Sequence, residues 1–247
     1  MAATHESRER GFGESAATLT HLRAATARWV ERERNRGRVG TGVTSLDALL
    51  TGGWPLGKVA EVVGPLSSGR TSVAISTVAE ATGRGELVVW IDTADAFDPA
   101  SAAAAGVDLE RVLWVRPQGL AETVRAAELA LELCGFAVAV LDLGGLSGAR
   151  TRRGERGASL QLRLVRTVER AGAVVLVLAE RAWIGTLAGV SLMLARGTVR
   201  WQGGERGAPR WLDGMVLQTR AERGGADQGS SRARSRAVLP WRERAVG

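Results

Sequence analysis

The sequence holds one cysteine, Cys134, one lysine, Lys58, and two histidines among its 247 residues. A single cysteine excludes an internal disulfide and any cysteine-cluster metal site. The apolar surroundings of Cys134, from Leu131 to Phe136, predict a buried thiol. His5 and His21 stand apart near the N-terminus and form no metal-ligand pattern. No apolar run approaches the roughly 20 residues that a membrane helix requires, so no membrane partner is expected. Met1 to Gly13 is polar and carries no apolar core of the secretory kind. Together these absences predict a soluble, cytoplasmic protein.

What the chain has in quantity is arginine. Lys58 is the only lysine among 33 basic residues, and the net charge is +7. A balance of that sign favours polyanionic or acidic partners, which predicts a protein associated with the nucleoid. The excess of arginine over lysine also follows from simple base-composition bias, so each arginine has to be judged by its position. With 45% apolar residues the chain has material for one substantial core with appendages.

One position stands out. Residues 64 to 71 read Gly-Pro-Leu-Ser-Ser-Gly-Arg-Thr, which meets the spacing of a phosphate-binding loop at Gly64, Gly69 and Thr71. Arg70 stands where that motif has lysine. An apolar run, Val59 to Val63, precedes the loop and an Ala/Val-rich segment, Ser72 to Ala81, follows. This is the strand–loop–helix setting in which backbone N–H groups converge on phosphate oxygens. Lysine is a compact point charge that reaches the terminal phosphates, whereas a guanidinium is planar and forked. Arg70 is therefore read as a functional change, with chain-wide drift from lysine to arginine as the competing account.

Elsewhere strands and helices alternate. Short apolar, β-branched runs at Val59–Val63, Leu87–Asp92, Val112–Val115, Ala137–Leu141 and Val174–Leu178 predict strands. Helical segments are expected at Ser72–Ala81, Leu120–Cys134 and Ser159–Ala171. Such alternation predicts an α/β fold with a mostly parallel central sheet flanked by helices. Thr44 with Asp47 resembles a capping box opening a short helix through Leu50. Thr198–Gln202 and Met215–Arg220 read as a closing hairpin. Leu19, Leu22, Thr26, Trp29 and Val30 share one face of a helical wheel, so Ser15 to Glu33 reads as an amphipathic helix. Glu222 to Gly247, rich in Gly, Ser and Arg, reads as a basic, disordered tail. The expected division is an N-terminal segment (1–40), a core domain (41–221) and the tail (222–247).

Thr41 to Pro99 resembles the RecA recombinase core. The likeness rests on Gly42-Val-Thr-Ser-Leu-Asp47, Gly53-Trp-Pro-Leu-Gly57, Glu61-Val-Val-Gly-Pro-Leu-Ser-Ser-Gly69 and Ile91-Asp-Thr-Ala-Asp-Ala-Phe-Asp-Pro99. It extends more weakly to about Arg220. The resemblance implies a RecA-like phosphate-loop core that binds ATP and Mg²⁺ through Gly64, Ser67, Ser68, Gly69, Thr71 and Ser72. It further implies that Asp142 supports the metal, that Asp98 contacts adenine, and that Glu180 stands at the phosphate-sensing position. Two departures argue against efficient hydrolysis. The residue that orients the attacking water falls on Ala94, and a missing positioned base costs a factor of about 10²–10⁴. Arg70 replaces the stabiliser of the transferred phosphoryl group. Glu180, a carboxylate, would repel a terminal phosphate and could pair with Arg70 instead.

The elements that contact DNA in such a core are remodelled too. The loop from Gly148 to Gly157 carries Arg150, Arg152, Arg153 and Arg156 and no aromatic residue. It offers phosphate contacts without a stacking platform, so binding of single-stranded DNA is expected to be weak. The second loop, Arg181-Ala-Trp-Ile-Gly185, is short, and Trp183 in it is expected to pack rather than stack. Trp90 and Trp114 are expected in the core, while Trp54 either covers the nucleotide or plugs a turn.

This combination is similar to the ImuA family, RecA-like accessory proteins of bacterial mutagenesis cassettes. The resemblance implies translesion synthesis after DNA damage, with RecA and an ImuB-like Y-family polymerase homologue as partners. Docking would use Leu19, Leu22 and Trp29, or Leu239 and Trp241 in the tail. Three other readings stay open: a working DNA-dependent ATPase in which Asp95 replaces the missing base, a nucleic-acid-binding module, and a cell-division inhibitor.

Overall fold

The computed structural model describes residues 37–144, 155–203, 210–223 and 233–240. The chain enters through β1 (Arg38–Val39), which pairs antiparallel with β2 (Trp54–Pro55) around the short helix α1 (Thr44–Leu49). The N-cap of α1 is Val43, which makes no side-chain capping bond. Asp47 reaches back instead, its Oδ1 accepting from the Thr41 N–H at 2.7 Å. The expected Thr44–Asp47 capping box is thus replaced by a clasp on the preceding loop. Trp54 is fully buried and its Nε1 donates to Thr77 Oγ1 at 3.0 Å, so it belongs to the core and not to a ligand site.

The main sheet has eight strands in the order β10-β9-β8-β3-β7-β6-β4-β5. Its members are β3 (Val59–Val63), β4 (Leu87–Asp92), β5 (Val112–Val115), β6 (Phe136–Asp142), β7 (Val174–Ala179), β8 (Val190–Gly203), β9 (Arg210–Arg223) and β10 (Ala233–Pro240). From β8 through β5 all neighbours are parallel, and β9 and β10 add antiparallel at one edge. The helices are α2 (Arg70–Gly83), α3 (Pro99–Ala104), α4 (Gly119–Glu132) and α5 (Glu155–Ala171). This is an α/β fold with a mostly parallel sheet flanked by helices.

The strand sequences explain the order. Every residue of β3 and β7 is buried, as expected of central parallel strands covered on both faces. Alternate residues feed two cores. Val62, Trp90, Val140, Leu176 and Leu178 pack with Val73, Ala74 and Val78 of α2 on one face. Ile91, Ala139, Leu141, Val175 and Val177 pack with Val124, Leu131, Leu164 and Val168 of α4 and α5 on the other. The parallel strands end at the same edge of the sheet, so the loops after β3, β4, β6 and β7 meet there.

Several expectations are corrected. β8 and β9 form a hairpin far longer than Thr198–Gln202 and Met215–Arg220, because the first half of β8 is also the parallel partner of β3. Within the segment read as disordered, Ala233–Pro240 pairs with Gly214–Ala221 as an edge strand running beside α1. Cys134 is exposed: α4 ends at Glu132 and the chain turns with φ 49° at Cys134, which carries the thiol outward. The N-terminal residues Leu19, Leu22 and Trp29 lie outside the described residues, as does Trp241.

Candidate nucleotide-type site

The loop after β3 is shaped by steric demand. A Cβ on Gly64 would stand 2.5 Å from both the Leu194 carbonyl oxygen and Ser68 Oγ, so only glycine fits. Ser67 and Gly69 take left-handed φ values of 59° and 90°, and the Ser68 N–H donates to Pro65 O at 3.1 Å between them. Gly69 is the N-cap of α2 and supplies no side-chain acceptor, which leaves the first-turn N–H groups receptive to an anion. β8 and β9 brace this loop. Arg196 donates through Nε (3.3 Å) and Nη2 (3.0 Å) to Leu66 O at its exposed tip. Leu217 and Met215 stand against Gly69. Thr71 is exposed and Ser72 half-buried.

Arg70 is 8% exposed, and its Nη1 is buried without a hydrogen-bond partner; Ser68 Oγ is buried and unpartnered too. Burial pushes the guanidinium pKa down, and the charges of Asp142 and Glu180 oppose that shift. Asp142 closes β6 and is itself buried. Arg70 Nη2 and Asp142 Oδ1 flank Gly144, at 3.9 and 3.0 Å from where a Cβ on that glycine would stand. Burial raises the Asp142 carboxyl pKa, with Asp92 adding to the rise; the Gly144 N–H bond and Arg70 work against it. Among the described residues no ion pair joins Arg70 to either carboxylate. Glu180 follows β7 and is exposed; its charge acts on Arg70, but the ion pair that it could make with Arg70 is not formed.

Asp92, the register partner of Asp142 on the neighbouring strand, fixes the turn that follows β4. Its Oδ1 accepts from the Ala94 N–H at 3.2 Å and its Oδ2 from the Phe97 N–H at 2.7 Å. Position 94 is therefore held in place, but it carries a methyl group. Asp95 follows with φ 54° and spends its carboxylate on an exposed ion pair with Arg116 at 3.4 Å. Asp98 caps α3, accepting from Ala100 N (3.3 Å), Ser101 N (3.1 Å) and the Ser101 hydroxyl. Those bonds hold its carboxyl below the ordinary carboxylate range. The residue expected at adenine is thus already bonded three times within its own helix start.

Glu61 was not anticipated as part of any constellation. It is fully buried in β3 and accepts the N–H groups of Trp183, Ile184 (2.7 Å) and Gly185 (3.1 Å). Gln161 of α5 donates to Trp183 O at 2.5 Å. The second of the two loops expected to face DNA is therefore fastened to the sheet, and Trp183 is buried in the core beneath α5. The only sequence signal was a carboxylate in the middle of an otherwise apolar strand. Of the first loop, Arg150, Arg152 and Arg153 lie outside the described residues, and Arg156 falls in the first turn of α5. Leu239 lies in β10, opposite Met215.

A phosphate-type loop at the C-terminal edge of a parallel sheet, with an aspartate ending each of β6 and β4, defines an α/β phosphate-loop protein. Residues 9–170 match the family described as the RecA N-terminal domain, and the chain belongs to that family. Protein RecA of Lactobacillus delbrueckii subsp. bulgaricus is 37% identical over 132 residues, covering 51% of this chain and 40% of that protein. Protein RecA of Prochlorococcus marinus is 37% identical over 125 residues, covering 51% of this chain and 29% of that protein. The alignments thus take in less than half of these relatives' length. The crystal structure of the RadB recombinase superposes with a TM-score of 0.63 over 83% of this chain and 97% of that one. At 20% identity that likeness shows the shared fold. Among the described residues no helix is long and apolar enough to cross a membrane, and no cluster of His, Cys, Asp and Glu could hold a metal ion.

Proposed function

We propose that this chain is a non-recombinase member of the RecA family that serves as a scaffold in DNA-damage-induced mutagenesis, as its likeness to the ImuA family implies. It would bind RecA, polymerase subunits of the ImuB-like kind, or both, and would not turn over ATP. The observation that carries the reading is the turn after β4. Ala94, which the RecA resemblance puts at the place of the water-orienting base, is fixed by Asp92, and the neighbouring Asp95 is drawn to Arg116 at the surface. Neither residue is available as a positioned base. The fastening of the second loop by Glu61 further supports a surface specialised for protein contacts over strand exchange.

Two measurements test it. Phosphate release with Mg²⁺ and ATP, with and without single-stranded DNA, should stay at background; DNA-stimulated release that disappears in Asp142→Ala would restore the ATPase reading. Partner capture should then be compared between the full chain and a chain ending at Pro240. That cut removes Trp241 and leaves β10 on the sheet, whereas a cut at Glu222 also strips β9 of its neighbour. Loss of RecA or polymerase capture on the shorter cut assigns docking to the final residues. Failure of the full chain to capture either partner sinks the scaffold reading.

A further inference from the structure

The hydrogen-bonding inventory of the site is lopsided, and the imbalance identifies what it accepts. On the acceptor side, both oxygens of Asp92 already receive backbone N–H groups and Asp142 Oδ1 receives the Gly144 N–H at 2.9 Å, which leaves Asp142 Oδ2 and the exposed Glu180, both acting on the charge of Arg70. On the donor side, Arg70 Nη1 and Ser68 Oγ are buried and unpartnered. The first turn of α2 adds backbone N–H groups with no capping side chain. Mg²⁺ in such a site takes one or two carboxylates together with waters and the phosphates themselves, and here the Arg70 guanidinium stands beside Asp142, the carboxylate that would serve it. The residues present do not fit the divalent cation that the RecA resemblance implies. They fit an anion with several acceptor oxygens, for which a guanidinium offers a forked, planar match.

We infer that the loop 64–71 binds a phosphate-type anion without a divalent cation, the Arg70 guanidinium standing beside Asp142 in the role that Mg²⁺ would otherwise fill. This deepens the reading of the site as one that does not hydrolyse ATP, and it rests on that reading. Arg70 is well placed for the part because it is enclosed. Gly144 leaves room for its Nη2 beside the Asp142 carboxyl, and the leucine and methionine of β9 cover the adjacent Gly69. A charge held in so confined a place interacts more strongly with an entering anion than an exposed one. Ser68 Oγ, at 1% exposure and close against Gly64, is a second buried donor without a partner.

The test is calorimetric titration of the full chain with pyrophosphate and with ATP, once in EDTA and once in excess Mg²⁺. The pyrophosphate dissociation constants are expected to agree within about twofold, and Arg70→Ala to weaken binding at least tenfold, each tenfold being about 1.4 kcal/mol. Arg70→Lys, which removes the fork and retracts the charge from Asp142, is expected to make binding depend on Mg²⁺. Melting curves check that the variants fold. Ser68→Ala, which removes a donor without touching the guanidinium, should weaken binding by about threefold or more, the size of one modest hydrogen bond. Binding that requires Mg²⁺ in the wild type, or no binding in EDTA at millimolar pyrophosphate, overturns the inference. Phosphate release by the wild type speaks to the other question. Turnover sinks the non-hydrolytic reading, whereas absent anion binding without turnover sinks only this inference.

Discussion

The buried Glu61 carboxylate accepts the backbone N–H of Trp183, 122 residues further along the chain, and adds the N–H groups of Ile184 and Gly185. One side chain thus satisfies three donors that a buried loop would otherwise leave unpaired. Hydrogen bonds to a charged group contribute about 1.5–3 kcal/mol, and orphaned buried donors cost about as much again. Glu61→Ala is expected to lower the unfolding free energy by at least about 3 kcal/mol in urea denaturation. Glu61→Gln, which keeps one acceptor oxygen, should cost about half of that. A Glu61→Ala protein as stable as the wild type would show that the loop is held by something else.

The contrast between Glu61 and its own strand shows what could be read locally. Val59, Ala60, Val62 and Val63 announce a buried strand without reference to any partner. What Glu61 does depends on residues 122 and more positions away, and no periodicity reports that. The same holds for Ala233–Pro240, which lies in a stretch rich in Gly, Ser and Arg that reads as a tail and whose strand state comes from pairing with β9. Other misses had local signals. Asp98 followed by Pro99 is a capping residue before a proline at the first helical position, enough to mark α3. Cys134 was misjudged because apolar neighbours say nothing about where a helix ends. At the phosphate loop the spacing pointed to the fold, but the unpartnered donors of Arg70 and Ser68 needed three dimensions.

Gly69 links the loop to the hairpin that follows it by more than a hundred residues. Its φ is 90°, and an added Cβ would meet Leu217 Cδ2 at 2.7 Å. Gly69→Ala should therefore be destabilising by two routes, backbone strain of roughly 1–3 kcal/mol and a steric clash. Leu217→Ala separates them, since trimming the leucine relieves only the clash. In denaturant titrations, Gly69→Ala is expected to cost less in the Leu217→Ala background than in the wild type, but still more than nothing. Equal costs in both backgrounds would mean that β9 does not press on the loop.

Asp98 provides a pH signature. The hydroxyl and then the N–H of Ser101, followed by the N–H of Ala100, hold its folded pKa below the ordinary 3.8. A carboxyl with a lowered folded pKa stabilises above its unfolded value and loses that contribution as the pH falls through the folded one. Asp98→Ala should accordingly melt at a lower temperature than the wild type at neutral pH, with the two converging only well into the acid range. Asp98→Asn, which can still cap a helix, should stay close to the wild type and lack the acid-dependent convergence. If Asp98→Ala melts like the wild type at neutral pH, the cap is dispensable and the carboxylate is free for a ligand.

If the proposed lack of turnover lies at positions 70 and 94, changing both residues should produce turnover. Asp92 already fixes the backbone at position 94 through its bond to the Ala94 N–H at 3.2 Å, so a glutamate introduced there would project from a defined turn. A positioned base contributes about 10²–10⁴ in rate, but only where the phosphate and its charge are correctly held. Ala94→Glu alone should stay near background, because the Arg70 fork remains against Asp142. Arg70→Lys alone should also stay low for want of a base. Combined, they should raise phosphate release from Mg²⁺-ATP by at least about 100-fold over the wild type. The effects are expected to be strongly non-additive because each repairs a step that the other cannot. A double variant as inert as the wild type, while still folded and able to bind ATP, would place the block to turnover outside positions 70 and 94.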